Sequence, residues 1–188
     1  MPIRHYAVIA ALLAVTVPPG LASAQAVVVN QAISENEVLA AQKAWCDALV
    51  SISGVYAAQG MPAAKALAEK VIDAAYGYQM GVVLFKPTLT VAPQTFRTTR
   101  AGALAYFVGG DAAFPKDTGF ALKQWSKCEI ANSGIFIAGN SASTMGNVNI
   151  SDKDGKVTTV DKTWMFVKDS AGALRIVLHH SSLPYTGS

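Results

Sequence analysis

The chain has 188 residues, of which 52 % are apolar and 14 % charged, and its formal net charge is +3. That is one domain's worth of chain with ample material for a core, and the charge is too small and too scattered for a nucleic-acid-binding stripe. Past the N-terminal segment no apolar run approaches the ~18 residues of a membrane span, so no membrane partner is expected.

The first segment reads as an export leader. Met1 to Tyr6 carries one charge, Arg4, and Ala7 to Val17 is an apolar stretch too short to span a bilayer. Pro18-Pro19-Gly20 breaks it, and Leu21-Ala22-Ser23-Ala24 offers small residues at the positions a signal peptidase reads. Cleavage is expected after Ala24, with Ala26 as second choice, leaving Gln25 to Ser188 as one periplasmic or secreted domain. In such a compartment Cys46 and Cys128 have one possible pairing, across 82 positions. A bridge is the expectation, and two buried thiols that never meet are the alternative.

Ser34 and Glu37 form a capping-box pattern. Val38, Ala41, Trp45, Leu49, Ile52 and Tyr56 then recur at helical spacing until Gly60. Met61-Pro62 opens a second helix, with Ala64, Leu67, Ala68, Val71, Ile72 and Ala75 along one stripe and Gly77 as its stop. Val82 to Phe85 is a short strand cut by Pro87, and Arg100 to Val108 a third helix ended by Gly109-Gly110. After Phe120 the pattern changes to strands over 121–132, 134–138, 141–151, 156–168 and 173–181, with Asp152-Lys153-Asp154-Gly155 as a hairpin turn. That acidic turn lacks the remaining ligands and closing Glu of a calcium loop. Trp45, Trp125 and Trp164 lie in apolar-patterned segments and read as core. Helices followed by antiparallel strands predict an α+β fold, a cone of curved antiparallel sheet with the helices on one face. The open end of such a cone is a common ligand site.

The chemistry is bounded by what is missing. Without the leader the histidines are His179 and His180, adjacent on a strand and so facing opposite sides. No C-x-x-C or H-E-x-x-H spacing occurs, so three His or Cys ligands for a zinc ion are very hard to assemble within one chain. There is no G-x-S-x-G elbow, P-loop or dinucleotide fingerprint, and Gly109-Gly110-Asp111 is more simply a helix stop than a phosphate cradle. What remains is hydroxyls, one histidine and backbone groups. On strand alternation His179 pairs with Ser181 on one face and His180 with Ser182 on the other, and one of these pairs points into the cone. The plainer reading of this segment is a polar strand end bonded to a neighbouring loop.

The segment Leu178-His179-His180-Ser181-Ser182-Leu183-Pro184, with Phe85-Lys86-Pro87-Thr88 and Ala103 to Gly110, resembles the iota-class carbonic anhydrases of the NTF2-like superfamily. That superfamily includes the calcium/calmodulin-dependent kinase II association domain. The resemblance covers the whole mature chain and implies an NTF2-like cone, usually a homodimer. It implies reversible hydration of carbon dioxide to bicarbonate, and the histidine count favours the metal-free kind, with no cofactor. It places the active-site hydroxyls on Thr88, Tyr106 and Ser181, with His179 beside them. His179 is expected to titrate near neutrality and to orient or relay a proton of the attacking water. Leu178 stands where relatives carry a first histidine of three, which weakens any transfer of a metal-dependent mechanism. Arg97 and Arg100 read as scattered surface cations that either draw the anion in or do nothing specific. A non-enzymatic ligand-binding or oligomerisation module is the rival reading, and a nucleotide cyclohydrolase a third.

Overall fold

The computed structural model describes residues 31–187, so the leader and its cleavage site lie outside the described residues. Helix α1 (Glu35–Gln59) starts at the capping box: the Ser34 Oγ accepts from the Glu37 amide, and the Glu37 carboxylate accepts from the Ser34 amide at 2.8 Å. Val38, Trp45, Leu49 and Ile52 form its buried stripe. Gly60, at φ 79°, ends α1 and opens α2 (Met61–Ala75), with Pro62 in the first turn, where a missing N–H costs nothing. α2 stops one residue before the Gly77 expected from the sequence. Tyr76 is its cap, in extended conformation, and its side chain is fully buried.

The strands are β1 (Leu84–Lys86), β2 (Trp125–Ala138), β3 (Ser141–Asp152), β4 (Val157–Lys168) and β5 (Leu174–Ser182). They form one sheet in the order β1-β5-β4-β3-β2. The last four strands are antiparallel, as expected, but β1 joins the edge parallel to β5, so the sheet is mixed. The first two late strands of the sequence reading are one strand. Ala121 falls instead in a 3-10 turn (Phe120–Leu122), and β2 runs through 132–134 with a register shift. A turn-like Asn-Ser-Gly reads as a break in sequence, whereas a bulge absorbs it within the ladder. Gly146 faces that bulge, and a Cβ there would collide with the Ala131 carbonyl oxygen. At the β3–β4 turn the Asp152 carboxylate accepts from the amides of Asp154 and Lys156, which accounts for the acidic residue without a cation.

Helices α1, α2 and α3 (Arg100–Val108) cover one face of the sheet. The core between them includes Trp45, Ile72, Tyr76, Phe85, Phe107, Ile150, Trp164, Phe166 and Ile176, and Trp125 is buried at its edge. All three tryptophans are therefore core, as expected. Cys46 on α1 and Cys128 on β2 form a disulfide with Cα atoms 5.3 Å apart. It closes an 82-residue loop, worth on the order of 4 kcal/mol by loop entropy. The Cys46→Ala/Cys128→Ala double variant is expected to lose about 2–4 kcal/mol in urea unfolding while keeping its far-UV circular dichroism.

Candidate active site

β1 is only three residues long, and what it does is place Thr88. Its register aligns Phe85 with His179 and Lys86 with His180. Pro87 then has no N–H for the ladder and ends the strand. The chain turns at Thr88, whose hydroxyl donates to Ser181 Oγ at 2.7 Å, across 93 positions of sequence. The Lys86 ammonium fixes the same strand end by donating to the Ser181 carbonyl at 3.0 Å. Tyr106 comes from the buried face of α3. Its ring stacks on Phe120 (centroids 5.4 Å apart) and meets Phe85 edge-on at 5.7 Å. Burial raises the pKa of its phenol above the ordinary value, while hydrogen bonds from Leu89 and Thr88 pull the other way. The group stays a neutral O–H, with its oxygen 3.5 Å from the Leu89 amide. The structure thus brings Thr88, Tyr106 and Ser181 together from three elements.

A bulge decides which face of β5 looks inward. Met165 pairs with Leu178 and Phe166 with Ile176, so one β5 residue is left over between them. Strict alternation from buried Ile176 would turn Leu178 and His180 inward. The extra residue turns His179 and Ser181 inward instead, both buried, and leaves His180 exposed.

His179 lies beside the hydroxyls but not in the role expected of it. Both ring nitrogens are engaged: Nδ1 lies 2.8 Å from the Tyr76 hydroxyl and Nε2 lies 3.0 Å from Lys162 Nζ. The ring stacks on Phe85 at 4.4 Å. Burial first, then Lys162 and His180, push its pKa well below the usual imidazole value. It is neutral at physiological pH, so the expectation that it titrates near neutrality and from there orients the water or relays its proton is corrected. Burial overrides the ordinary histidine value, and no lone pair or N–H is left over for a substrate.

The group that does titrate near neutrality is Lys162, which the sequence reading missed. It is only 4 % exposed, and desolvation brings its pKa down to about 7. Its Nζ sits 4.3 Å from the Trp45 ring centroid and 5.3 Å from that of Trp164. The signal was present: Val160, Lys162, Trp164 and Phe166 occupy one face of β4 at period two, and the lysine is the polar member of a buried row. Tyr76 was also missed. Trp45 Nε1 donates to its hydroxyl at 3.0 Å, so Trp45, Tyr76, His179 and Lys162 form one buried chain of polar contacts.

The two arginines are structural. Arg97 is buried and grips Asp117 with two bonds of 2.7–2.8 Å, which corrects its reading as a surface cation. Arg100 pairs with Asp73 on α2. Among the described residues no group of three or more His, Cys, Asp or Glu is placed to hold a metal ion.

Lys162 and His179 both bind fewer protons folded than unfolded. Folding stability therefore rises with pH wherever the unfolded state is the more protonated, which for Lys162 is from about 7 up towards the ordinary lysine value of 10.5. Urea-unfolding midpoints measured across that window should rise with pH in the wild type. The rise should shrink in Lys162→Met, which leaves an apolar side chain in the same space.

Residues 36–183 match the family model described as metal-independent carbonic anhydrase. A metal-independent carbonic anhydrase from Nostoc sp. is 71 % identical over 158 residues, which are 84 % of this chain and 77 % of that protein. The crystal structure of a cyanobacterial iota-carbonic anhydrase complexed with bicarbonate superposes with a TM-score of 0.84 at 69 % identity, over 87 % of this chain and 99 % of that one. A calcium/calmodulin dependent protein kinase II association domain from Xanthomonas campestris is similar in fold, with a TM-score of 0.54 at 23 % identity over 86 % of this chain and 95 % of that one. With the whole helix-and-sheet unit matched in sequence and in shape, the chain belongs to the metal-independent carbonic anhydrase family.

Proposed function

We propose that the chain hydrates carbon dioxide reversibly to bicarbonate at the Thr88, Tyr106 and Ser181 hydroxyls. The observation that carries this is the 2.7 Å Thr88–Ser181 contact at the edge of an aromatic wall, with the Tyr106 phenol beside it, in a chain of this family. Carbon dioxide is small and apolar, and Phe85, Phe107 and Phe120 give it an apolar surface. As water oxygen bonds to its carbon, one C=O electron pair moves onto oxygen and negative charge develops there. Thr88 spends its proton on Ser181, which leaves the Ser181 and Tyr106 protons to donate to that oxygen. Such fixed donors favour the charge without reorganising during the step. Buried Tyr106 keeps its proton at working pH and so remains a donor.

The assembly that fits the chain is a homodimer formed through the outer face of the sheet. Phe136 on β2 and Met145 on β3 are diagonal neighbours there, 72 % and 62 % exposed, and a second copy would cover both. An exported protein, periplasmic or secreted, accords with the Cys46–Cys128 bridge, since such bonds persist in oxidising compartments.

Stopped-flow hydration assays on chelator-treated protein test the activity. The wild type should exceed the buffer rate. Tyr106→Phe and Ser181→Ala should each lose on the order of 100-fold with unchanged circular dichroism, the usual cost of one oxyanion donor. Full activity in both variants would move the reaction away from these hydroxyls.

A further inference from the structure

Hydration turns a neutral, apolar substrate into an anion, so the site must accept a charge in its product that its substrate lacks. The hydroxyls of Thr88, Tyr106 and Ser181 supply dipoles and no net charge. The buried Asp117 carboxylate, which acts on Tyr106, is offset by Arg97 in bidentate contact. Lys162 loses its proton at about pH 7 and is turned towards His179. What remains beside the cluster is Lys86.

Its position follows from the sequence Phe85-Lys86-Pro87-Thr88. Strand alternation buries Phe85 and turns Lys86 to the outer face, where its register partner His180 is exposed. The next pair in that register sets Pro87 opposite Ser181, and proline has no N–H to offer the Ser181 carbonyl. The Lys86 side chain fills that place and donates to the carbonyl oxygen at 3.0 Å. A lysine that would otherwise extend into water is thereby held, half-buried, next to the residues whose hydroxyls meet. Covalent geometry keeps a serine Oγ within about 5 Å of its own carbonyl oxygen, so the ammonium lies within roughly 8 Å of Ser181 Oγ.

That charge is uncompensated. Among the described residues no carboxylate pairs with Lys86, and burial, with no acidic neighbour opposing it, draws its pKa below the ordinary lysine value. Water still reaches the side chain, so it stays an ammonium at neutral pH.

We propose that Lys86 is the counter-charge for bicarbonate, a specificity-determining residue that makes the hydroxyl cluster an anion site through its field and without touching the reacting atoms. The identity of the anion rests on the hydration reading above. Carbon dioxide carries no charge and gains nothing from the ammonium on entry, so the preference falls on the developing oxyanion and on the product. One unit charge at this range, partly screened by solvent, changes anion affinity on the order of 10-fold.

Nitrate is a planar monoanion that cannot be dehydrated, and it serves as the binding probe. Its affinity is titrated through the Ser181 amide nitrogen-15 shift in the full-length wild type, Lys86→Met, Lys86→Gln and Lys86→Arg. The titration is run at about pH 8, above the value of about 7 for Lys162, so that Lys162 is mostly neutral. Hydration by the same four proteins is measured with and without added bicarbonate. Nitrate should bind on the order of 10-fold more weakly to the Met and Gln variants, and within about twofold of the wild type to the Arg variant. Inhibition of hydration by bicarbonate should weaken by the same factor in the same two variants. Wild-type nitrate affinity in Lys86→Met overturns the proposal. So does wild-type affinity in Lys86→Gln, because glutamine can still donate to the carbonyl and the hydrogen bond would then be the whole contribution. A Lys86→Arg variant that binds as poorly as Lys86→Met overturns it as well. If Lys86→Met does not fold, the contrast between the Gln and Arg variants decides. A folded wild type with no hydration activity fails the hydration reading, and nitrate binding then still decides for or against Lys86.

Discussion

The site depends on where β5 is held. That strand lies between β4, antiparallel on one side, and the three-residue β1, parallel on the other. So short a strand is not retained by its ladder bonds alone, and the stabilisation comes from Phe85. Its ring is buried, lies 4.4 Å from the His179 ring, and packs against Tyr106 and Phe107. Complete burial of a phenylalanine contributes roughly 1.5–3 kcal/mol, comparable to the whole worth of a three-residue edge. Phe85 thereby holds Thr88 against Ser181, and the β5 bulge turns Ser181 and His179 to meet what Phe85 brings. Displacing either one would separate the hydroxyls without touching them.

Two buried cations show how differently a fold can treat the same charge. Arg97 has its own buried carboxylate in bidentate contact and serves as a structural clasp for the loop before α3. Lys162 has aromatic faces and a neutral imidazole. A lysine can answer desolvation by giving up its proton, which arginine cannot do at any working pH. The interior thus places an irreversibly charged residue where it needs a tie and an adjustable one beside the hydroxyl cluster.

Local patterns carried most of the fold. The capping box, the glycine stops at 60 and 109 and the hairpin at Asp152-Gly155 all lie where short-range chemistry puts them, because each depends on a few adjacent residues. What was not legible depends on distant partners. The parallel docking of β1, the merging of two apparent strands through the bulge at 132–134, and the inward turn of His179 are decided by registers with other strands. The hydroxyl site was legible only because the strand-end segment resembles a known family; alternation alone left two His–Ser pairs on equal terms. Lys162 could have been found by asking why a lysine sits in line with Val160, Trp164 and Phe166. Composition gives a surface lysine the same weight as a buried one, and periodicity separates them only when the polar residue is treated as the anomaly. The engagement of both His179 nitrogens had no such signal, since Tyr76 lies 103 positions away.

The length of chain between Thr88 and Ser181 also orders events in time. Ninety-three positions separate the two hydroxyls, and the later one belongs to the last strand. During synthesis the helices, β1 and the β2–β4 meander all emerge before β5 exists to be paired. The lysine on β4 and the tyrosine at the end of α2 are by then made, but nothing yet joins them, because His179 is the residue between. Contacts of such long range form late and slowly. The contact between the two hydroxyls therefore arrives in one step with the docking of the final strand, and a nascent chain stalled shortly before its end has most of the elements made and the cluster still open.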